Sequence, residues 1–211
     1  MVFKDRESAG KDLAEKLENL HLTGPIVLAL ARGGMPVGFE IAKKLNALLD
    51  VVVARKITLP GFDEVAIGAV AEGGTLVLDE PIIRSLGLNS SYLLKLIEGA
   101  ERETERRVNL YRKGRKLSDI RGKCVILVDD GLATGMTAKA TVKMVSEKGA
   151  ERVIFASPVC EGETADDLRT QAHQVVCIVR PANFMAVGEW YGNFTQVTDE
   201  QVIELLNRVL R

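Results

Sequence analysis

Residues 125–137 read VILVDDGLATGMT. Val125 to Val128 form an unbroken apolar run that ends on two adjacent carboxylates, Asp129 and Asp130. Small and hydroxyl-bearing residues follow at Gly131, Ala133, Thr134, Gly135 and Thr137. A short apolar run bounded by turn residues reads as a buried strand, and a helical pattern opens at about Met136. In open α/β sheets, ligands bind outside the carboxyl ends of the strands. Backbone N–H groups of small residues at a helix N-terminus form an anion cradle. Thr134 and Thr137 add hydroxyl donors to it. The segment therefore sets a phosphate cradle beside two acceptor carboxylates, which suits a sugar phosphate: phosphate on the loop, vicinal hydroxyls on the acids. Helix capping alone rarely needs two aspartates after a fully apolar strand. Neither GxxxxGK[ST] nor GxGxxG occurs here.

Outward from this stretch, short apolar runs alternate with helical patterns. PIVLALA (25–31) reads as a strand, PVGFEIAKKLNAL (36–48) as a helix and DVVVARK (50–56) as the next strand. VAIGAVAEGGTLVLDE (65–80) reads as two strands around a Gly73-Gly74 turn. A long helix is expected over 89–116, capped by Asn89 or Ser90 and ended by Gly114. KCVILVDD (123–130), ERVIFASPV (151–159) and QVVCIVRP (174–181) are further strands. Helices at 136–149, 163–172 and 198–211 follow them. The repetition predicts an α/β fold, a mostly parallel twisted sheet flanked by helices. No linker divides the chain, so one domain is expected over 1–211. Its core covers about 22–180, and a small hood comes from about 1–21 and 181–211.

Composition narrows the function classes. Net charge is −1 and aromatics are 5% of the 211 residues, so nothing global favours nucleic acid or a base-stacking surface. The apolar run at 25–31 is too short to span a membrane, and no signal peptide is readable at the N-terminus. Cys124, Cys160 and Cys177 are odd in number and widely spaced. They read as reduced thiols in a cytoplasmic protein. His21 and His173 have no metal-ligating neighbours in sequence and read as surface or satisfied histidines.

The stretch Asp129-Asp130-Gly131-Leu132-Ala133-Thr134-Gly135-Met136-Thr137 resembles the signature with which type I phosphoribosyltransferases bind phosphoribosyl pyrophosphate (PRPP). The resemblance implies that Asp129 and Asp130 hold the ribose hydroxyls. It implies that Ala133, Thr134, Gly135, Met136 and Thr137 hold the 5′-phosphate. Gly131 departs from the branched apolar residue usual at its position. Ala133 departs from an aspartate found in some purine-specific members. ARGGMPVG (31–38) resembles the pyrophosphate loop of the same family, with Arg32, Gly33 and Gly34 in contact and the Ala31–Arg32 peptide as a candidate cis bond. Arg55 and Lys56 are further candidates for pyrophosphate. The segment 59–74 falls where the family has a mobile lid, with Glu64 and Glu72 as candidate lid carboxylates, each read first as a solvated charge. Phe184, Trp190 and Tyr191 are candidates to stack on an acceptor base. The charged helix 90–116 reads mainly as an ion-paired exposed face, its basic C-terminal half being the alternative meeting point for phosphate or RNA.

By resemblance the chain is expected to bind PRPP with Mg²⁺ and to transfer the phosphoribosyl group to a nitrogen acceptor, a nucleobase in the first instance. A cytoplasmic homodimer with no membrane or nucleic-acid partner is expected. Two alternatives stand beside this reading. One is a PRPP-sensing regulator that binds nucleic acid without turnover; the other is a hydrolase of a phosphoribosyl compound, with no closing lid.

Overall fold

In a computed structural model the described residues are 3–209, the side chains of Asp63, Glu64 and Val209 excepted. The carboxylate of Glu64 named above thus lies outside the described residues.

Five parallel strands form the central sheet, in the order β2 (Leu48–Val52), β1 (Ile26–Leu30), β6 (Cys124–Val128), β7 (Arg152–Val159) and β8 (Gln174–Val179). All five residues of β1 are buried, which is why it reads as a continuous apolar run rather than an alternating one. On its two sides β1 pairs with β2 and β6, Ala29 lying opposite Val51 and Val128. The chain leaves β1 through helix α2 (Gly34–Leu45) to reach β2 on one side. It leaves β6 through helix α5 (Met136–Glu147) to reach β7 on the other. Adjacent strands whose connections depart in opposite directions define a topological switch point, where a crevice opens above the strand ends. The loops after β1 and β6 are the two that the sequence singles out.

A separate antiparallel sheet contains β3 (Ala54–Leu59), β4 (Phe62–Ala71) and β5 (Thr75–Leu78). The expected strand over 50–56 is therefore two strands, divided at Val53. Arg55 and Lys56 belong to the second sheet, opposite Val70 and Ala69 of β4. The Gly73-Gly74 turn forms as expected, both glycines having positive φ (+82° and +84°). Most of the segment expected to be a lid is β4 itself.

Helix α4 (Ser90–Arg112) is capped by Asn89, whose side chain accepts the Tyr92 N–H at 2.8 Å. Its end is set by Lys113 and Gly114 in left-handed conformation. The exposed-face reading of this helix fails at one end. Tyr111 and Arg112 are 3% exposed, and Thr104 is buried too. Arg112 forks onto Glu72, with Nη1 and Nη2 each donating to one carboxylate oxygen at 2.8 Å. It also donates to the Val51 carbonyl and lies 3.5 Å from Asp50. Glu72 in turn accepts the Val53 N–H at 3.2 Å, and Asp50 accepts the Ser118 N–H and hydroxyl at 3.0 and 2.9 Å. This cluster fixes the break between the two sheets. Glu72 is thus neither a lid residue nor a solvated charge.

Helix α1 (Arg6–Glu18) has a capping box between Asp5 and Ser8, and it lies against α2, β7 and β8. Helix α3 (Glu80–Ser85) follows β5, and helix α6 (Gly162–Leu168) lies between β7 and β8. A 3₁₀ turn (Val187–Trp190) precedes the C-terminal helix α7 (Asp199–Val209). Cys160 and Cys177 form a disulfide that ties β7 to β8. The reduced-thiol expectation is corrected for this pair, because parallel pairing of β7 with β8 closes a gap that the sequence spacing does not advertise. With it goes the cysteine argument for a cytoplasmic location. Cys124 is free. Among the described residues no helix is long and apolar enough to cross a membrane.

Candidate functional site

The loops after β1 and β6 face each other across a cleft of about 330 Å³, lined on one side by Ala31, Arg32 and Gly33 and on the other by Asp129 and Asp130. Arg6, Arg107, Phe194, Gln196 and Val197 complete it. The Ala31–Arg32 peptide is cis, as the resemblance implied. The two glycines after it are dictated by space. A Cβ on Gly33 would stand 2.0 Å from Asp130 Oδ2, and one on Gly34 would stand 2.4 Å from the Val128 carbonyl oxygen. The backbone of one loop therefore touches the acidic end of the neighbouring strand.

Asp129 and Asp130 carry like charges on adjacent residues. Asp130 N–H donates to Asp129 Oδ1 at 2.9 Å. Burial, and then the charge of Asp130, push the Asp129 carboxyl well above the usual carboxylate range. Asp130 is held differently. Arg6 Nε donates to its Oδ2 at 2.7 Å while Arg6 Nη1 donates to the Thr195 carbonyl at 2.9 Å. The Arg6 guanidinium also lies 3.8 Å from the centre of the Phe194 ring, a close cation–π contact.

After Asp130 the loop is tied down on its far side. Leu132 is buried; it receives the Glu161 N–H at 2.7 Å and donates its own to Val159 at 2.9 Å. Gly135 begins α5 at φ +72°, and a Cβ there would meet Thr164 Cγ2 at 2.5 Å. No side chain caps α5, so its first N–H groups have no side-chain acceptor, and Thr134 beside them is exposed. Gly131, the departure from the family pattern, has a local reason. A Cβ there would lie 2.2 Å from Val187 Cγ1, so the 3₁₀ turn supplies the missing branched side chain from elsewhere in the chain. Gly131→Val should therefore overpack this contact and cost about 1–3 kcal/mol of stability. Combining it with Val187→Ala should recover a large part of the loss in a denaturant titration.

The aromatic candidates stand in a different order from the one expected. Tyr191 is 5% exposed, and its hydroxyl donates to the Asp130 carbonyl oxygen at 2.5 Å. Burial above all, then the nearby Asp130 charge, raises its pKa and keeps it a donor. Phe184 and Trp190 lie against a cluster of Phe3, Ala9, Val159 and Tyr191. None of the three lines the cleft. Phe194 does; it is 36% exposed and stacks on Tyr191 with ring centres 5.0 Å apart.

Arg107 is the cation that sequence reasoning left on an exposed face. It lines the cleft, and its Nε donates to Glu103 at 2.8 Å. Glu103 also takes a bidentate pair from Arg106 and lies 3.8 Å from Arg55. Arg55 thus reaches the site's margin through Glu103, while Lys56 does not line the cleft. Arg32 lies 3.8 Å from Asp199, which also accepts the Tyr111 hydroxyl at 2.5 Å. The hydrogen bonds from Arg106, and next from Arg107, outweigh burial and draw the Glu103 carboxyl down to about 2 from the usual 4.5. A depressed folded pKa gives stability that is full above the unfolded value and is lost as pH falls through the folded one. Glu103→Gln should cost about 1 kcal/mol at pH 7, after allowance for solvent screening of a partly exposed group. The cost should shrink below about pH 4.5 and vanish near pH 2 in paired urea titrations.

His173 is a satisfied histidine, its Nδ1 accepting the Val153 N–H at 3.1 Å, and His21 is exposed. Among the described residues no group of three or more His, Cys, Asp and Glu is placed to hold a metal ion.

A parallel α/β fold with its cleft at the switch point, acidic on the β6 side and basic on the β1 side, defines the class. The chain belongs to the phosphoribosyl transferases, whose domain model matches residues 3–192. It is 40% identical, over all of its length, to a Mycobacterium tuberculosis protein provisionally named a phosphoribosyl transferase. The chain spans about half the length of the curated relatives it matches (47%). Among solved structures it is similar to TT1426 from Thermus thermophilus, at 41% identity and TM-score 0.83 over 99% of both chains. A fold likeness extends to the AQ2163 protein of Aquifex aeolicus, at 10% identity and TM-score 0.52 over 82% of this chain and 73% of that one.

Proposed function

We propose that this protein binds PRPP in the switch-point cleft and transfers its phosphoribosyl group to a nitrogen acceptor of nucleobase type, releasing pyrophosphate. The observation that carries the reading is the close approach of Gly33 to the Asp130 carboxylate and of Gly34 to the Val128–Asp129 backbone, with an uncapped helix start alongside. In this reading Asp129 and Asp130 receive the ribose 2′- and 3′-hydroxyls. The N–H groups and hydroxyls of residues 133–137 receive the 5′-phosphate. Arg32, the Gly33 and Gly34 backbone and Arg107 face the pyrophosphate; Arg55 and Lys56 act from the margin. The acceptor nitrogen attacks C1′ as the bond to the pyrophosphate oxygen breaks, and the leaving group takes the electron pair. The protein's contribution is positioning and charge stabilisation rather than covalent chemistry.

The donor set fits Mg²⁺. Two adjacent carboxylate oxygens on a solvent-facing cleft, with no third protein ligand among the described residues, suit a hard ion that keeps water and substrate oxygens in its shell. When bound, such an ion neutralises pyrophosphate charge as it leaves. Phe194 replaces Tyr191 as the aromatic face available to an acceptor ring, with Arg6 between that face and Asp130.

The test follows phosphorus NMR of PRPP and Mg²⁺ with the protein and pooled purine and pyrimidine bases. Pyrophosphate and a new phosphoribosyl resonance that require the pool support transfer, and splitting the pool identifies the acceptor. Pyrophosphate release without any base would mark a hydrolase. PRPP that binds but persists with every base would favour a sensor.

A further inference from the structure

The chain's near-neutral charge hides a strongly basic segment. Residues 112–123 hold Arg112, Lys113, Arg115, Lys116, Arg121 and Lys123 against one acid, Asp119. The segment borders an open cleft of about 800 Å³ that is separate from the candidate site and lies between the end of α4 and the turns before β6 and after α5. Three exposed cations on its wall, Arg115, Lys116 and Lys148, have no carboxylate within 4.0 Å among the described residues. At its base Arg112 is 3% exposed, and its Nε is buried without a hydrogen-bond partner. Val108, Leu117 and Ile120 supply an apolar wall, and Asn109 supplies an amide.

We infer that this cleft is a second ligand site, for a nucleoside polyphosphate, its phosphates on Arg115, Lys116 and Lys148 and its base against Val108, Leu117 and Ile120. Three cations without carboxylate partners call for a ligand with more than one phosphate. A concave cleft with an apolar wall and one amide favours a mononucleotide over a polymer backbone, which needs only an open basic stripe. The two clefts lie back to back across α4. Glu105, Val108, Asn109 and Arg112 face the new one at helical spacing, whereas Arg107 lines the candidate site and Tyr111 binds the Asp199 that pairs with Arg32. A ligand that orders the end of α4 therefore bears on Arg107 and Arg32, two of the three cations that line the candidate site.

The experiment measures binding of GTP, ATP and inorganic triphosphate to the intact protein by calorimetry, each with and without saturating PRPP and Mg²⁺. It is repeated on Arg115→Glu/Lys116→Glu, two exposed positions outside the candidate site. Expected are nucleotide binding that survives PRPP, binding of inorganic triphosphate that is weaker than that of the nucleotides, and at least a tenfold loss in the double variant. The Asp130→Asn variant should retain nucleotide binding, so failure of the PRPP reading and failure of this one are distinguishable. The inference is overturned if PRPP displaces the nucleotide, if the double variant binds as well as the parent, or if none of the probes binds at about 1 mM. Preference for a single-stranded RNA over the mononucleotides through the same residues would overturn it as well.

Discussion

Asp129→Asn and Asp130→Asn should each lower kcat/KM for phosphoribosyl transfer by about 10²–10³-fold, the scale of losing a positioned charged group at a reacting centre. The two should differ in their side effects. Asp129 has Asp130 as its charged neighbour, and burial and that charge already push its carboxyl toward the neutral form, so replacing it with a neutral amide should leave Tm near the parent value. Asp130 is the partner of Arg6, a side chain only 10% exposed. Its amidation leaves a largely buried guanidinium facing a neutral group, and about 1–3 kcal/mol of stability should go with the activity. Steady-state kinetics alongside thermal unfolding checks both halves. Activity near the parent's in both variants would remove the acidic pair from the mechanism.

Arg112→Ala is expected to give the largest loss of stability, about 3–5 kcal/mol, because it leaves Glu72 and Asp50 as buried carboxylates without their cation. For a chain of this size that corresponds to a fall in Tm of roughly 6–20 °C. Arg112→Lys should not rescue it, since a point charge cannot reproduce the two parallel bonds to Glu72 or reach the Val51 carbonyl as well. Differential scanning calorimetry of the two variants decides the matter. A loss under about 1 kcal/mol in Arg112→Ala would show that the cluster is dispensable and that water readily replaces the guanidinium.

The strands of the central sheet were legible because each is buried on both faces and so reads as an uninterrupted apolar run; β1 and β6 are the clearest cases. The acidic loop was legible for the same reason, since charge directly after such a run has to stand at the end of a buried strand. The second sheet was not. β2 and β3 are separated by Val53 alone, a buried apolar residue that carries no turn signal, and the break is set by Arg112 and Glu72 from distant parts of the chain. Charge pattern on α4 misled for a related reason. Glu103, Arg106 and Arg107 have ion-pair spacing on a helix, yet Arg107 lines the cleft and Arg112 is buried. Helical spacing reports which residues share a face, not what covers that face.

Arg6 and Phe194 were hidden differently. They lie near opposite ends of the chain and meet only because α1 and the segment after the 3₁₀ turn converge over Asp130. The bond between Phe3 N–H and the Trp190 carbonyl and that between Gly192 N–H and the Phe3 carbonyl, each 2.7 Å, hold the two segments together. Nothing local in either segment announces the pairing. Tyr191 attracted notice as an aromatic beside the only tryptophan, but its ring is spent on Phe3 and Phe194 and its hydroxyl on the Asp130 backbone.

The central claim is that the cleft between the β1 and β6 loops is a PRPP site. Its most direct measurement is a calorimetric titration of PRPP with Mg²⁺ into the parent protein and into Gly33→Val. That substitution forces a side chain against the Asp130 carboxylate, whose Oδ2 stands 2.0 Å from where the new Cβ must go. Expected are one site per chain in the parent and at least a hundredfold weaker binding in a Gly33→Val protein that still unfolds cooperatively. Equal binding by a folded Gly33→Val protein, or no binding of PRPP to the parent at millimolar concentration, would contradict the claim.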